Sequence, residues 1–343
     1  MKKIVAIMLV VIFTMSAFTG CATKKNSDSF DGRQVRIVIG STSTSGDTYM
    51  ISDIANRYLA KALNMSSKID AVGAGPAYEA IATAKPNGDT IMMMHDGAYL
   101  GVLFGSFEEK YALENYEIGP RYGVNAGAAF AAKADAPYND MKEMADYLQA
   151  NPDYKVRVAI ESGSVSHLGF VVYYQWVKDT YGDAVAKQII AVVGGTTSEK
   201  CQMLWDGNVD VIFADYSSLF TYTEEGVEDK IKMKYTALLD NIEGIDVPSF
   251  ADLGITYKGE EFRFAKDFVI YFPKGTPQTL IDQMDKAVKE ICENQEYVDA
   301  MNKLTYTVDY LSAAEAKEYI YNKRDLASDI ITNAPSLDEL TAQ

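Results

Sequence analysis

The chain has 343 residues, enough for about two domains of ordinary size, with 48% hydrophobic residues and a formal charge of −16. That apolar share can fill sizeable cores, while the acidic balance excludes the basic footprint of a nucleic-acid binder or of a charged membrane patch. The charge also gives an anionic ligand no long-range attraction, so an anion would have to be held by local dipoles.

Residues 1–20 read as a secretory leader: Lys2-Lys3, an apolar run from Ile4 to Phe18, then Thr19-Gly20 before Cys21. The run is shorter than the roughly 20 residues that span a bilayer. Its removal takes away two lysines and moves the formal charge from −16 to −18. Gly20-Cys21 is similar to the lipobox of bacterial lipoproteins. That resemblance implies lipid attachment at Cys21 and an exported protein, anchored on the outer face of the cell membrane or held in the periplasm. Residues 21–32 are polar and aperiodic and read as a flexible tether. Cys201 and Cys292 either pair or stay free; both readings are open. No cysteine spacing suits a metal, and His95 and His167 are far apart in sequence, so no metal or cofactor is expected.

The body opens with a strand over Val35–Ile39, rich in β-branched residues and closed by Gly40. A helix follows from Met50 to Leu63, with apolar residues at Ile51, Ile54, Ala55, Tyr58, Leu59, Ala62 and Leu63. Between them lies Ser41-Thr42-Ser43-Thr44-Ser45-Gly46-Asp47. Such a hinge offers backbone N–H groups and hydroxyls at the positive end of a helix, a ready seat for a carboxylate. A cap at Asp47 or Thr48 is the competing reading. Ser67–Val72 is a second strand. Gly73-Ala74-Gly75-Pro76 then turns into a helix over 77–84, Lys85–Asp89 is a turn, and Thr90–Met94 is a third strand. This β-α-β-α-β order implies a parallel, doubly wound sheet.

The plan repeats farther on. Tyr122–Lys133 reads as a crossover strand, Asp140–Ala150 as an amphipathic helix stopped by Asn151-Pro152, and Val156–Ile160 as a strand. The hydroxyl-rich loop Glu161–His167 leads into a helix over 168–181. Ile189–Val193 is a strand, Gly194–Thr197 a loop, 198–205 a helix, and Val209–Ala214 a strand ending at Asp215. Met233–Leu239 and Phe268–Phe272 are further strands. Helices are expected over 280–293, 296–304 and 313–330. Each half thus places small polar loops at strand C-terminal ends, where open parallel sheets bind ligands.

Six blocks in order resemble the extracytoplasmic receptors of the tripartite tricarboxylate transporters, the Bug receptors. Gly46-Asp47 with Asn56-Arg57 is similar to the family's first loop and helix. Val72–Gly75 and Ala84–Ile91 resemble its Gly-Ala-Gly-Gly and Pro-Asp-Gly-Tyr-Thr-Leu blocks. Ser162–Leu168 resembles its Ser-x-Gly-x-Gly-Ser-x-x-His-Leu block. Val193–Gly195 with Trp205–Asp210, then Val247–Gly254, then Phe272–Pro277 complete the series. The resemblance implies an α/β, two-lobed, type II periplasmic-binding-protein-like fold, each lobe a doubly wound sheet flanked by helices. The first lobe is expected over 33–121, the second over 122–239, and a return segment with the C-terminal helices over 240–343. It also implies a monomer that is no enzyme: it captures a small organic carboxylate and offers it to the permease subunits of a membrane transporter. By position the ligand residues would be Ser41, Thr42, Ser43, Thr44, Ser45, Gly46, Asp47, Gly73, Ala74, Gly75, Ser162, Ser164, Ser166, His167, Gly194, Gly195 and Asp215. Here the first loop carries more hydroxyls than the family's, and Pro76 stands where the family has Gly.

Bland readings stand beside these. His167 would cap or orient neighbours at a helix start, Asp215 would be a turn residue, and Tyr173, Tyr174, Tyr216 and Tyr222 would pack. Two other functions fit parts of the pattern. A serine hydrolase could be imagined from Ser162, Ser164, Ser166, His167, Asp210 and Asp215, but no nucleophile elbow is present. A sensor module reporting to a membrane kinase would use the same pocket. The loop assignment carries an expectation: Asp47→Ala with Ser43→Ala should weaken carboxylate binding without unfolding the protein.

Overall fold

The computed structural model describes residues 28–341. The leader, Cys21 and the tether as far as residue 27 lie outside the described residues. In chain order the strands are β1 (Gln34–Ile39), β2 (Ser66–Ala71), β3 (Thr90–Met94), β4 (Tyr116–Asn125), β5 (Ala128–Lys133), β6 (Val156–Ile160), β7 (Ile189–Val193), β8 (Val211–Asp215), β9 (Met233–Leu238), β10 (Thr256–Tyr257), β11 (Glu260–Glu261) and β12 (Lys266–Pro273). The α-helices are α1 (Asp47–Ala62), α2 (Ala74–Thr83), α3 (Gly97–Leu103), α4 (Met141–Ala150), α5 (Val165–Tyr181), α6 (Asp183–Ala186), α7 (Thr197–Trp205), α8 (Tyr216–Leu219), α9 (Gln278–Cys292), α10 (Gln295–Asn302), α11 (Ala313–Thr332) and α12 (Leu337–Thr341).

Two five-stranded sheets carry the architecture, ordered β2-β1-β3-β12-β4 and β7-β6-β8-β5-β9. The two orders are the same pattern. In each, three parallel strands come from one βαβαβ run, and a fourth strand from the other end of that half's chain runs antiparallel beside them. Short β-α-β loops force the parallel part, because a right-handed crossover returns each strand to the same direction. The antiparallel strands, β5 and β12, are the two that follow a crossing between the halves.

The stretch expected as one strand over 122–133 divides. β4 pairs with β12 as far as Asn125↔Lys266, and Ala128 opens pairing with β8 at Asp215. Residues 122–125 therefore belong to the first sheet, and the chain crosses at 126–127. The small apolar residues on either side of Asn125 hid this corner. A second departure lies at the start: Phe30 is fully buried against Leu280, Ile281 and Met284. Arg33 pairs with Asp89, so 28–33 is packed and is not a free tether. Helix α3 was missed because His95-Asp96-Gly97 reads as a strand-end turn.

The return segment is held to the first sheet by a buried ion cluster. Lys323 on α11 meets Asp96 at 2.7 Å and Asp267 at 2.5 Å, and Arg121 meets Asp267 at 2.5 Å. On one side of the gap between the sheets a single apolar core runs through from Met92 and Tyr271 to Phe130 and Phe213. Phe104 from the first half stacks on His167 from the second at 3.8 Å between ring centres. The halves are thus in contact through this core and this ring pair.

Candidate functional site

A cleft of about 840 Å³ lies between the halves. Strand ends and helix starts form it, as the doubly wound topology requires. Of the residues expected from sequence, Ser41, Thr42, Ser43, Ser45, Gly46, Asp47, Gly73, Ala74, Ser162, Ser164, Ser166, Gly195 and Asp215 line it. Thr44, Gly75, Gly194 and His167 do not line it. His167 is buried beneath Phe104, its Nδ1 accepts the Gly163 N–H at 3.4 Å, and Nε2 has no partner among the described residues. Burial pulls its pKa down to about 4, so it is a neutral ring in the contact between the halves.

Six helices start at this cleft, α1, α2, α3, α5, α7 and α8, and they differ in what is left free. On α5 the Ser164 hydroxyl accepts the Ser166 N–H at 3.1 Å and donates to the Glu161 carbonyl at 2.7 Å. Ser166 Oγ accepts the Glu161 N–H at 2.8 Å. Helix α7 carries a capping box: Thr196 caps it, and the Glu199 carboxylate accepts the Thr196 N–H at 2.7 Å. The positive end of α7 is therefore already matched by a negative charge. Helix α1 begins at Gly46 without a side-chain cap, but Asp47 stands in its first turn and accepts the Thr48 N–H at 2.8 Å. Helices α2, α3 and α8 have neither a side-chain cap nor an acid in the first turn, but α3 and α8 start from an aspartate, Asp96 and Asp215, whereas α2 starts from a glycine. Its N-cap is Gly73 at φ 87, a left-handed conformation that glycine adopts without a Cβ penalty. Pro76 costs nothing here, because an N–H in the first turn has no carbonyl to meet inside the helix.

The hydroxyl-rich first loop spends most of its groups on itself. Ser41 Oγ accepts the Ser43 N–H at 3.1 Å, and Ser43 Oγ accepts the Ser45 N–H at 3.2 Å and pairs with Ser45 Oγ at 3.0 Å. The serines thus hold the loop's shape, and the Ser41 carbonyl accepts the Gly73 N–H at 3.3 Å, fixing the start of α2 against it.

At the crossing between the halves lies a charged cluster. Lys266, first residue of β12, meets Asp47 at 2.6 Å. Asn125, last residue of β4, donates to Asp47 Oδ2 at 3.0 Å and also to Asp215 Oδ1, while its own carbonyl oxygen accepts the Gly127 N–H at 2.8 Å. One amide therefore ties a carboxylate of the first half to a carboxylate of the second. Burial would raise Asp47, but Lys266, then His95, and two hydrogen bonds overrule it and hold the group well below the usual carboxylate range. Burial would lower Lys266, and Asp47 and Asp215 overrule that. Among the described residues Asp215 has no cation paired with it; burial first and the Asp47 charge second push it up to about 6. His95 is pulled down to about 4 by burial, against Asp47, and its Nδ1 accepts the Gly97 N–H at 3.0 Å.

This cluster sets a pH dependence. Asp215 binds its proton more tightly in the fold than in the unfolded chain, whose value lies near 4. Its ionisation therefore costs the fold stability as pH rises from about 4 through about 6, and above that the cost is complete. Asp215→Asn keeps the acceptor for Asn125 and removes the ionisation. The variant is expected to melt above the wild type at neutral pH, with the gap closing as pH falls toward 4. Melting curves across that range check this; a gap that does not change with pH would refute it.

Lys200, on the first turn of α7, was not expected as a site residue. It is 4% exposed and lines the cleft. Burial pulls its pKa below the lysine range, and Glu161, which follows β6 in the same half, pulls the other way. The signal in the sequence was faint: Ser198-Glu199-Lys200 reads as an ordinary solvated helix start.

The model of the tripartite tricarboxylate transporter family receptor matches residues 50–335. No curated protein matches the chain. Among solved structures, one described as a periplasmic transporter superposes with a TM-score of 0.70 at 20% identity, covering 89% of this chain and 98% of its own. MatC from Rhodopseudomonas palustris with bound malate gives 0.69 at 19%, covering 87% and 99%. A second R. palustris protein, solved with adipate, gives 0.70 at 14%, covering 88% and 98%. At these identities the likeness is one of fold, and it is that of two-lobed periplasmic binding proteins. The sequence match over most of the chain is the stronger finding, and by it the protein belongs to the tripartite tricarboxylate transporter receptor family.

Proposed function

We propose that this protein is an exported receptor, anchored through Cys21, that closes two lobes on a small organic carboxylate and presents the closed form to the permease subunits of a membrane transporter. Each sheet with its helices is one lobe, and the chain crosses between them at 126–127 and again after β9. The observation that carries the reading is the start of α2: a helix N-terminus on the cleft wall with no cap and no acid to satisfy it. Backbone N–H groups there suit a carboxylate oxygen. The bound malate of MatC and the adipate of the second R. palustris protein agree with this ligand class. Closure follows from ligand contacts made to both walls at once, which favour the closed form by their difference in affinity for the two forms.

A hydrolase fits the site poorly. Ser164 and Ser166 bond each other at 2.7 Å, His167 Nδ1 accepts a backbone N–H and its buried Nε2 meets no partner among the described residues, so no serine is held by an imidazole base. The reading is tested by thermal shift against a panel of small carboxylates, with ester turnover measured alongside. A rise in melting temperature with at least one carboxylate, through ligand linkage, and no turnover is the expected result. Flat melting curves across the panel would refute it.

A further inference from the structure

We infer that Asp215 couples anion capture to proton uptake: when the cleft takes an organic anion, this carboxyl takes a proton, and the two are held together. The inference rests on the carboxylate reading above and adds a regulation to it. Asp215 ends β8 in the second half, lines the cleft and is 5% exposed. The Asn125 side-chain NH2 donates both to it and to Asp47, the first residue of α1 in the first half. Two carboxylates that share one amide nitrogen are close neighbours, and these come from opposite sides of the crossing at 126–127. Among the described residues one ammonium is paired with them, that of Lys266, and Asp47 takes it at 2.6 Å. Asn125 brings no charge. Two buried acids with one cation are balanced only when one of them is protonated, and Asp215 is the one outside the ion pair.

Its other contacts suit both states. The Ser217 hydroxyl bonds Asp215 Oδ2 and lies 3.4 Å from the Tyr306 hydroxyl. A hydroxyl can donate to a carboxylate and accept from a carboxylic acid. The remaining titratable neighbours leave the charge balance in place. Tyr306, and Tyr235 on β9, are phenols whose pKa burial raises, so they stay neutral. His95, which acts on Asp47, is neutral above about 4. Glu161 and Lys200, also on the cleft wall, carry opposite charges that act on each other and on Lys266. An anion entering the cleft adds a like charge beside Asp215 and raises that carboxyl's affinity for a proton. By reciprocity the proton raises the affinity for the anion. It acts on the halves as well. With Asp215 ionised, two like charges face each other across the crossing, and protonation removes that repulsion. Proton and anion then favour the same arrangement of the halves.

Calorimetric titration of the full chain with malate, adipate, lactate and benzoate, each in two buffers of unlike ionisation heat, tests this. At about pH 7 these acids are ionised and bring no proton of their own. For a free carboxyl titrating at about 6 that rises by about one unit when the anion binds, the tightest of the four is expected to bring about 0.4 proton at about pH 7. Its affinity is expected to fall about fivefold from about pH 6 to about pH 8. Asp215→Asn should abolish the uptake, bind that acid equally at both pH values, and bind it more tightly than the wild type at the higher one. Infrared difference spectra of the wild type give a reading that needs no variant: a protonated-carboxyl C=O band is expected to grow when the same acid is added at neutral pH. Equal heats in the two buffers, binding without that band, or uptake that persists in Asp215→Asn overturns the inference while leaving a carboxylate receptor. Absence of heat from every acid overturns the receptor reading itself.

Discussion

Ala74→Asp is expected to weaken carboxylate binding by about a hundredfold while leaving the protein as stable as the wild type or slightly more so. Ala74 is the first residue of α2 and lines the cleft. An aspartate there meets the positive end of the helix, which favours folding by about 0.3–1 kcal/mol. The same charge stands where the proposed carboxylate would sit. Two like charges a few ångströms apart near a protein surface repel by about 4 kcal/mol at most, and hydration removes part of that. Stability and binding therefore move in opposite directions, which a merely damaged protein cannot do. Calorimetry with the best ligand of the panel, together with a denaturant melt, gives both numbers. Unchanged affinity would place the anion elsewhere.

Asp47→Ala is expected to be a folding variant first and a binding variant second. From the sequence, Asp47 reads as a loop residue that can be removed without unfolding. In the structure its carboxylate is buried, pairs with Lys266 and accepts from Asn125. Removing it strands a buried ammonium, which typically costs about 3–5 kcal/mol. Ser43→Ala, by contrast, disturbs only the loop's own turns. Because the folded Asp47 is held below its unfolded value, the stability it contributes is present above about pH 4 and is lost as pH falls further. Asp47→Leu combined with Lys266→Met removes the pair whole and is expected to recover much of the loss. Chemical denaturation of the three variants decides this. A single variant as stable as the wild type would show that Lys266 finds water or another partner.

The sequence made the regular elements visible where one physical signal dominated. β-Branched runs marked β1, β6 and β7, the 3.6-residue spacing marked α1 and α4, and Asn87-Gly88-Asp89 marked the turn into β3. The order of these elements was enough to expect parallel sheets, whereas each sheet is mixed, with two parallel and two antiparallel pairings. The crossing at Asn125 was not legible, because the residues on both sides of it are small and apolar and give no change of period. The charged centre was hidden for a different reason. Asp47 and Lys266 are 219 residues apart, and nothing local distinguishes either from a surface charge. Lys200 looked like a solvated helix residue, yet it is buried with its stem against Gly194. Ser164 and Ser166 were legible as a loop of hydroxyls, but not as a cap that uses those hydroxyls up. The first loop drew attention for its composition, whereas the barer helix start at Gly73-Ala74 carries the stronger case for the anion.

The most direct test follows the backbone N–H of Ala74 by NMR as the best-binding carboxylate of the panel is titrated into the full chain. A saturable downfield shift of that amide, with an affinity equal to the calorimetric one, is the expected result, because a hydrogen bond to a carboxylate oxygen deshields the proton. Saturable binding that leaves the Ala74 amide unmoved would contradict the placement of the anion at the start of α2.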